Sequence, residues 1–258
     1  MRLALALAFL IAAAAPATLG TAQTRGGYLA GQPPIDAVRL LPPPPEAGSS
    51  QDAFDRTAAS AARAGVKGPA WEGAIREARL PDAAFMKSVS CAVGVEVSAE
   101  KTPAVQKLMM TLMVDFVVPM DQAKTAYKRP RPFTVDGGPA CDPLVAAGQG
   151  DRLGFSYPSG HAGIGWLLAL ALSDAAPARS DAIRAWGANV GQHRVDCRVH
   201  WPSDVAAGRM LGLAVYDRVS KTPAYQADLK AAASEISKAA SLTCPQDKVP
   251  PKEQASGG

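Results

Sequence analysis

The stretch PSGHAGIGWLLALALSD, running from Pro158 to Asp174, decides how this chain folds. Ala162 to Leu172 is almost wholly apolar, and Asp174 closes the run. A run of that length is too short to cross a bilayer. Apolar on nearly every side, it suits a helix buried at the centre of a protein. Its start has a different character. Ser159 is a good N-cap, with a hydroxyl able to accept from an amide of the first turn. Gly160 lets a ligand come close to the backbone. Open amides at a helix start, together with the helix dipole, favour an anion. His161 stands at the mouth of that site.

Around this stretch the chain reads as helices. Ala, Leu, Met, Lys, Glu and Gln are plentiful, and long alternating runs are missing. Helices are expected over roughly 50–64, 69–79, 82–93, 120–128, 161–174, 178–193 and 202–219. Thr102-Pro103 and Thr222-Pro223 each pair an N-cap with proline at the first helical position, opening helices to about Val118 and Ala240. The fold class is therefore all-α, a single-domain helical bundle over residues 51–245. Residues 23–50 are rich in Gly and Pro and read as an arm rather than a helix, pinned to the body by Leu40 and Leu41. Residues 246–258 read as a loose tail.

Residues 1–22 have the form of a secretory signal: Arg2, then an apolar stretch from Leu3 to Ala15, then small residues up to Ala22. Cleavage near Ala22 and a periplasmic location are expected, without stable membrane insertion afterwards. With 27 Lys and Arg against 23 Asp and Glu the chain is weakly basic, which calls for no nucleic-acid partner. Cys91, Cys141, Cys197 and Cys244 suggest two disulfides in an exported protein, with all three pairings open.

Two further segments carry chemistry. In KTAYKRPRP, Lys124 to Pro132, the spacing of four puts Lys124 and Lys128 on one helical face. Pro130 and Pro132 then stop the helix and fix the backbone around Arg131. In RVDCRVHWPSD, Arg194 to Asp204, Pro202 suits a first helical turn and places His200 at a helix start, with Asp204 four residues on. A carboxylate on one ring nitrogen fixes the tautomer and frees the other to attack. Taken singly, the three segments are a basic helix end, a capped helix and a surface His–Asp pair. Together they hold or adjoin His161, His193 and His200, all the histidines of the chain. Phosphoryl transfer needs cations on the oxygens, an in-line nucleophile and an acid for the leaving group. The three segments supply each.

In order and spacing they resemble the phosphatidic acid phosphatase type 2 superfamily, whose signature is K-x6-R-P, then P-S-G-H, then S-R-x5-H-x3-D. The proline-rich stretch after Leu40-Leu41, the exported start and the length are similar to the class A bacterial non-specific acid phosphatases. The resemblance covers about residues 38–220. It implies an all-helical fold of the acid phosphatase and vanadium haloperoxidase type, small phosphate-ester substrates, inorganic phosphate as product, and a site needing no metal and no cofactor. It implies phosphate binding by Lys124, Arg131, Ser159, Gly160 and Arg194. It implies catalysis by His200, which becomes phosphohistidine, with Asp204 orienting its ring and His161 protonating the leaving group. A protonated His161 and a neutral His200 call for environments that pull the two pKa values apart. His193 stands where the family has serine.

Other readings compete. The same pocket would hold vanadate in a haloperoxidase. His193, Cys197, His200 and Asp204 would be zinc ligands, which leaves Lys124 and Arg131 unexplained. Ser159 as a hydrolase nucleophile lacks the G-x-S-x-G elbow. An exported phosphate-binding module explains the cations but not the histidines. Assembly into a homo-oligomer is left open.

Overall fold

The structure, a computed structural model, describes residues 26–76, 78–148 and 151–244. The expected signal segment 1–22 with its cleavage point near Ala22, and the expected tail 246–258, lie outside the described residues. In chain order the helices are α1 (Ala37–Leu40), α2 (Ser50–Ala64), α3 (Pro69–Arg76), α4 (Ala83–Val93), α5 (Pro103–Tyr127), α6 (Pro132–Asp136), α7 (Pro143–Ala147), α8 (Asp151–Gly154), α9 (Gly160–Ala175), α10 (Ser180–Asp196), α11 (Pro202–Val219) and α12 (Pro223–Lys238). No β-strand forms among the described residues. The fold is all-α, as expected.

Local chemistry explains most of the boundaries. Ser49, Asp82, Ser159 and Thr222 each accept from an amide in the first turn of the helix they open, and Asp142 accepts from both Leu144 and Val145. Thr102 behaves differently. Its hydroxyl is held by the Glu96 carbonyl and the Ser98 amide, and makes no side-chain cap. Glu235 of α12 takes over, accepting from the amides of Ala104 (2.8 Å) and Val105 (3.1 Å), so α5 is capped by a distant helix.

The expected break near Val118 does not occur. α5 is one helix of 25 residues with Pro119 inside it. Its buried stripe of Leu108, Leu112, Phe116, Pro119, Met120 and Ala123 keeps helical phase across the proline. Packing along that stripe outweighs the backbone cost of proline, about 3 kcal/mol. Read as one element, the segment Pro103–Asp136 is long and apolar enough to cross a membrane by length and composition, a criterion that the core helix of a soluble protein also meets. The expected helix end near Val118 would divide this segment.

α9 lies at the centre, and α10 and α11 pack on it more closely than ordinary side chains allow. A Cβ on Gly208 would fall 2.3 Å from the Ser159 carbonyl oxygen, and one on Gly212 2.5 Å from that of Gly163. On the other side, a Cβ on Gly187 would lie 2.5 Å from Cβ of Ala169 and 2.8 Å from the Gly165 carbonyl oxygen. Helices α5 and α12 complete the main core around Leu167, Leu168 and Leu172.

The arm before α2 is not wholly extended, since Asp36 caps the short α1 within it. Leu41 is buried and anchors it, but Leu40 is 42% exposed and does not. The hydroxyls of Tyr127 and Tyr157 hold its carbonyls at Val38, Leu41 and Pro42. Farther back, Asp115 accepts from the amides of Tyr28 and Leu29. Of the three pairings the sequence allowed, the structure has Cys91–Cys244 and Cys141–Cys197.

Candidate active site

The end of α5, the start of α9 and the connection from α10 to α11 converge. Helix α5 stops at Lys128, whose φ of 48° is left-handed, because the residue before Pro130 is barred from helical geometry. That turn separates the two lysines expected to share a face. Lys124 is buried and donates to the carbonyl of Phe155 at 2.8 Å, whereas Lys128 points to solvent. Arg131, the residue before α6, is buried and donates to the carbonyls of Leu153 and Val199, both at 2.7 Å. Arg194, in the last turn of α10, is buried and paired with Asp142 at 2.6 Å. The Ser159 amide donates to the Asp204 carbonyl at 2.9 Å, tying the start of α9 to the start of α11.

His200 is 4% exposed and held from both sides. Its Nε2 lies 3.2 Å from Arg131 NH1 and its Nδ1 3.4 Å from Asp204 Oδ2. A guanidinium only donates, so Nε2 is the acceptor and carries the lone pair. The proton then sits on Nδ1, facing the carboxylate. Asp204 reaches back to the Trp201 amide at 2.8 Å, closing the first turn of α11. Half-buried His161 lies 3.0 Å through Nε2 from the carbonyl of Ala78. A carbonyl only accepts, so Nε2 carries that hydrogen and Nδ1 is left to exchange a proton.

The electrostatics differ from expectation. Burial pushes His161 well below the usual imidazole range, and Arg194 and His200 add to the effect. Burial likewise lowers His200, reinforced by Arg131, Lys124 and Arg194. The two rings shift in the same direction because both are buried and both face Arg131 and Arg194. Arg131 itself is lowered to about 10, first by burial and then by the charge of Arg194. Asp204 is raised by burial, against the opposing pull of Arg129.

These shifts set a pH dependence for stability. Each ring binds a proton more readily in the unfolded chain than in the folded one. Stability is therefore full above about pH 6.5 and is lost as pH falls below it. The melting temperature of phosphate-free protein is expected to drop between pH 7 and 5, and added phosphate to oppose the drop. A melting temperature indifferent to pH over that range would contradict this.

Several partners were not foreseen. Arg129 pairs with Asp204, Asp142 pairs with Arg194 and the Ala78 carbonyl faces His161, while Asp55 of α2 and Ser203 hold Arg129 in turn. The basic corner contained Arg129 without marking its role, and nothing near Asp55 in sequence marks it. His193, the departure from the family pattern, turns away. Its Nε2 lies 3.6 Å from where a Cβ on Gly73 would sit, so it faces α3. The zinc reading loses its thiolate, because the Cys197 sulfur is bonded to Cys141.

That disulfide belongs to the site's floor. It packs with Trp71, Ala74, Val145 and Val199 in a cluster separate from the main core. The Cys141 amide donates to the Cys197 carbonyl, Asp142 pairs with Arg194, and Arg198 pairs with Asp136. Replacing Cys141 and Cys197 together by serine is expected to cost about 2–4 kcal/mol in unfolding free energy. It should also raise KM, since Arg194 loses a fixed support. The corresponding change at Cys91 and Cys244 should lower stability and leave KM alone. Equal KM effects from both pairs would refute the distinction.

Comparison with known proteins places the chain. A model of the PAP2 superfamily matches residues 104–226, a span containing all three segments. The non-specific acid phosphatase of Providencia stuartii is 34% identical over 214 residues, covering 82% of this chain and 85% of that one. The non-specific acid phosphatase of Salmonella typhimurium is 31% identical over 214 residues, covering 83% and 85%. Among solved structures, the first transmembrane PAP2 type phosphatidylglycerolphosphate phosphatase from Bacillus subtilis aligns with a TM-score of 0.48 at 20% identity, covering 72% of this chain and 89% of that one.

Proposed function

The chain belongs to the PAP2 superfamily, and from that premise we propose that it is an exported acid phosphatase, hydrolysing small phosphate monoesters through a phosphohistidine on His200. The observation that carries this reading is the placement of His200, with Nε2 3.2 Å from the Arg131 guanidinium and Nδ1 3.4 Å from the Asp204 carboxylate. Lys124, Arg131 and Arg194 hold the phosphate oxygens, and the amides at Ser159 and Gly160 complete the cradle. The Nε2 of His200 attacks phosphorus as the ester P–O bond breaks. Nδ1 of His161 gives its proton to the departing oxygen. Water then attacks phosphorus, returns a proton to His161 and breaks the P–N bond, releasing inorganic phosphate. Asp204 stabilises the charge that His200 carries between the two steps. A bound phosphate dianion raises the depressed value of His161, so substrate itself recruits the proton that the acid needs.

Export rests on the apolar run behind Arg2, and two disulfides accord with an oxidising compartment. The test is a panel of nucleotides, sugar phosphates and an aryl phosphate, assayed from acidic to neutral pH with a chelator present. Hydrolysis under acidic conditions that the chelator leaves intact is expected. Tight phosphate binding with no turnover of any ester would replace this reading with a binding module.

A further inference from the structure

Asp204 is fully buried, yet its proposed role requires a negative charge facing His200. Its two oxygens are used differently. Oδ2 faces Nδ1 of His200 and accepts from the Trp201 amide, whereas Oδ1 is 2.6 Å from Arg129 NH1. Arg129 is itself held on every side. Its NH2 pairs with buried Asp55 at 2.8 Å, and its NH1 donates to Ser203 Oγ at 2.7 Å. Its guanidinium lies 5.2 Å from the centre of the Trp201 ring, and its carbonyl accepts from the Ser156 amide at 2.8 Å. Asp55 also accepts from the Ser203 amide at 3.0 Å, so α2 supports the start of α11 directly.

We propose that Arg129, clamped by Asp55, is a positioning residue for phosphoryl transfer, holding Asp204 by Oδ1 so that the carboxylate stays ionised with Oδ2 aimed at His200. The inference rests on the reading of His200 as nucleophile with Asp204 as its partner. The charge count explains why two carboxylates are present. A single guanidinium between Asp55 and Asp204 leaves the cluster with one net negative charge, available to the imidazolium that forms when His200 is phosphorylated. Without Arg129, two buried carboxylates would share one site, and Asp204, which burial already raises against the pull of Arg129, would take up a proton and lose the charge facing His200. Without Asp55, Arg129 would neutralise Asp204 alone. Either loss weakens the pull that keeps the Nδ1 proton in place. The other charged or titratable groups facing the pair are Lys124, Arg131, Arg194, His161 and Tyr157.

The experiment compares Arg129→Met, Arg129→Lys, Asp55→Asn and Asp204→Asn in the full chain, measuring kcat and KM for an aryl phosphate across pH. Arg129→Met is expected to lower kcat roughly tenfold or more while KM moves by less than about threefold. The acidic limb of kcat/KM should move to lower pH, because His200 loses the charge that favours its proton. Asp55→Asn should move the limb the same way with a smaller loss, and Arg129→Lys should recover part of kcat. Damage to folding alone would scale the whole profile without moving its limb. An unmoved limb in Asp55→Asn, or no recovery of kcat in an Arg129→Lys protein that folds, overturns the proposal, even if Arg129→Met does not fold. Full activity in Asp204→Asn removes the reading beneath it as well. Loss of activity in Asp204→Asn with an unchanged Arg129→Met removes the role of Arg129 alone.

Discussion

His200→Ala is expected to lower kcat by about ten-thousand-fold while phosphate still binds. The nucleophile disappears, but the groups that hold the anion do not depend on it. Arg131 keeps its bonds to the Leu153 and Val199 carbonyls, Lys124 keeps Phe155, and Arg194 keeps Asp142. Asp204 retains Arg129 and the Trp201 amide, so no buried charge is stranded. Inhibition by inorganic phosphate should therefore survive at near its original strength. Denaturing quench after mixing with labelled ester should trap phosphate on the parent protein and none on the variant. His161→Ala should behave differently, losing most activity toward alkyl esters and less toward an aryl ester whose leaving group needs little help from an acid. Near-normal turnover by His200→Ala, or label on another residue, would remove the assignment.

Gly208→Ala is expected to be strongly destabilising, because its added methyl would meet backbone more closely than at any other described glycine. Its Cβ would lie 2.3 Å from the Ser159 carbonyl oxygen and 3.2 Å from the Gly163 amide nitrogen. Both obstacles are backbone, so no side chain can swing aside, and α9 and α11 must separate. The cost should be about 3 kcal/mol or more, lowering the melting temperature by roughly 6–12 °C. Activity should fall beyond the loss of folded protein, because the same shift breaks the bond from the Ser159 amide to the Asp204 carbonyl. Gly65→Ala is the control, since its Cβ would meet nothing closer than 3.6 Å. A Gly208→Ala protein as stable as that control would contradict the close crossing.

What could be read from the sequence was what local chemistry determines. Ser159, Pro202 and the Thr222-Pro223 pair mark helix starts because capping and proline act within one turn. The apolar run from Ala162 to Leu172 marked the central helix because no exposed surface tolerates it. What stayed hidden is set by partners distant along the chain. Pro119 looked like a break because the stripe that carries α5 past it gains its value only against other helices. Glu235 as the cap of α5 lies 131 residues from the amide it serves. Leu40 and Leu41 look alike in sequence, and only the turn of α1 sends one inward. At the site, the three segments and their resemblance to the superfamily named Lys124, Arg131, Arg194, His161, His200 and Asp204, which the structure brings together. They were silent on Asp55 and Asp142, whose contacts are tertiary, and they gave Lys128 a face that its left-handed backbone turns away.

The two disulfides also give the molecule a covalent connectivity that its linear order conceals. Cys141–Cys197 lies wholly within the span closed by Cys91–Cys244, so the chain forms one ring nested inside another. His161 and Arg194 belong to the inner ring, whereas Lys124, Arg131, His200 and Asp204 sit on the outer ring alone. One backbone cut anywhere between Cys91 and Cys244 therefore liberates no fragment until a thiol is added. A nicked molecule keeps every phosphate-handling residue covalently attached, and a single cut in that span need not end its working life.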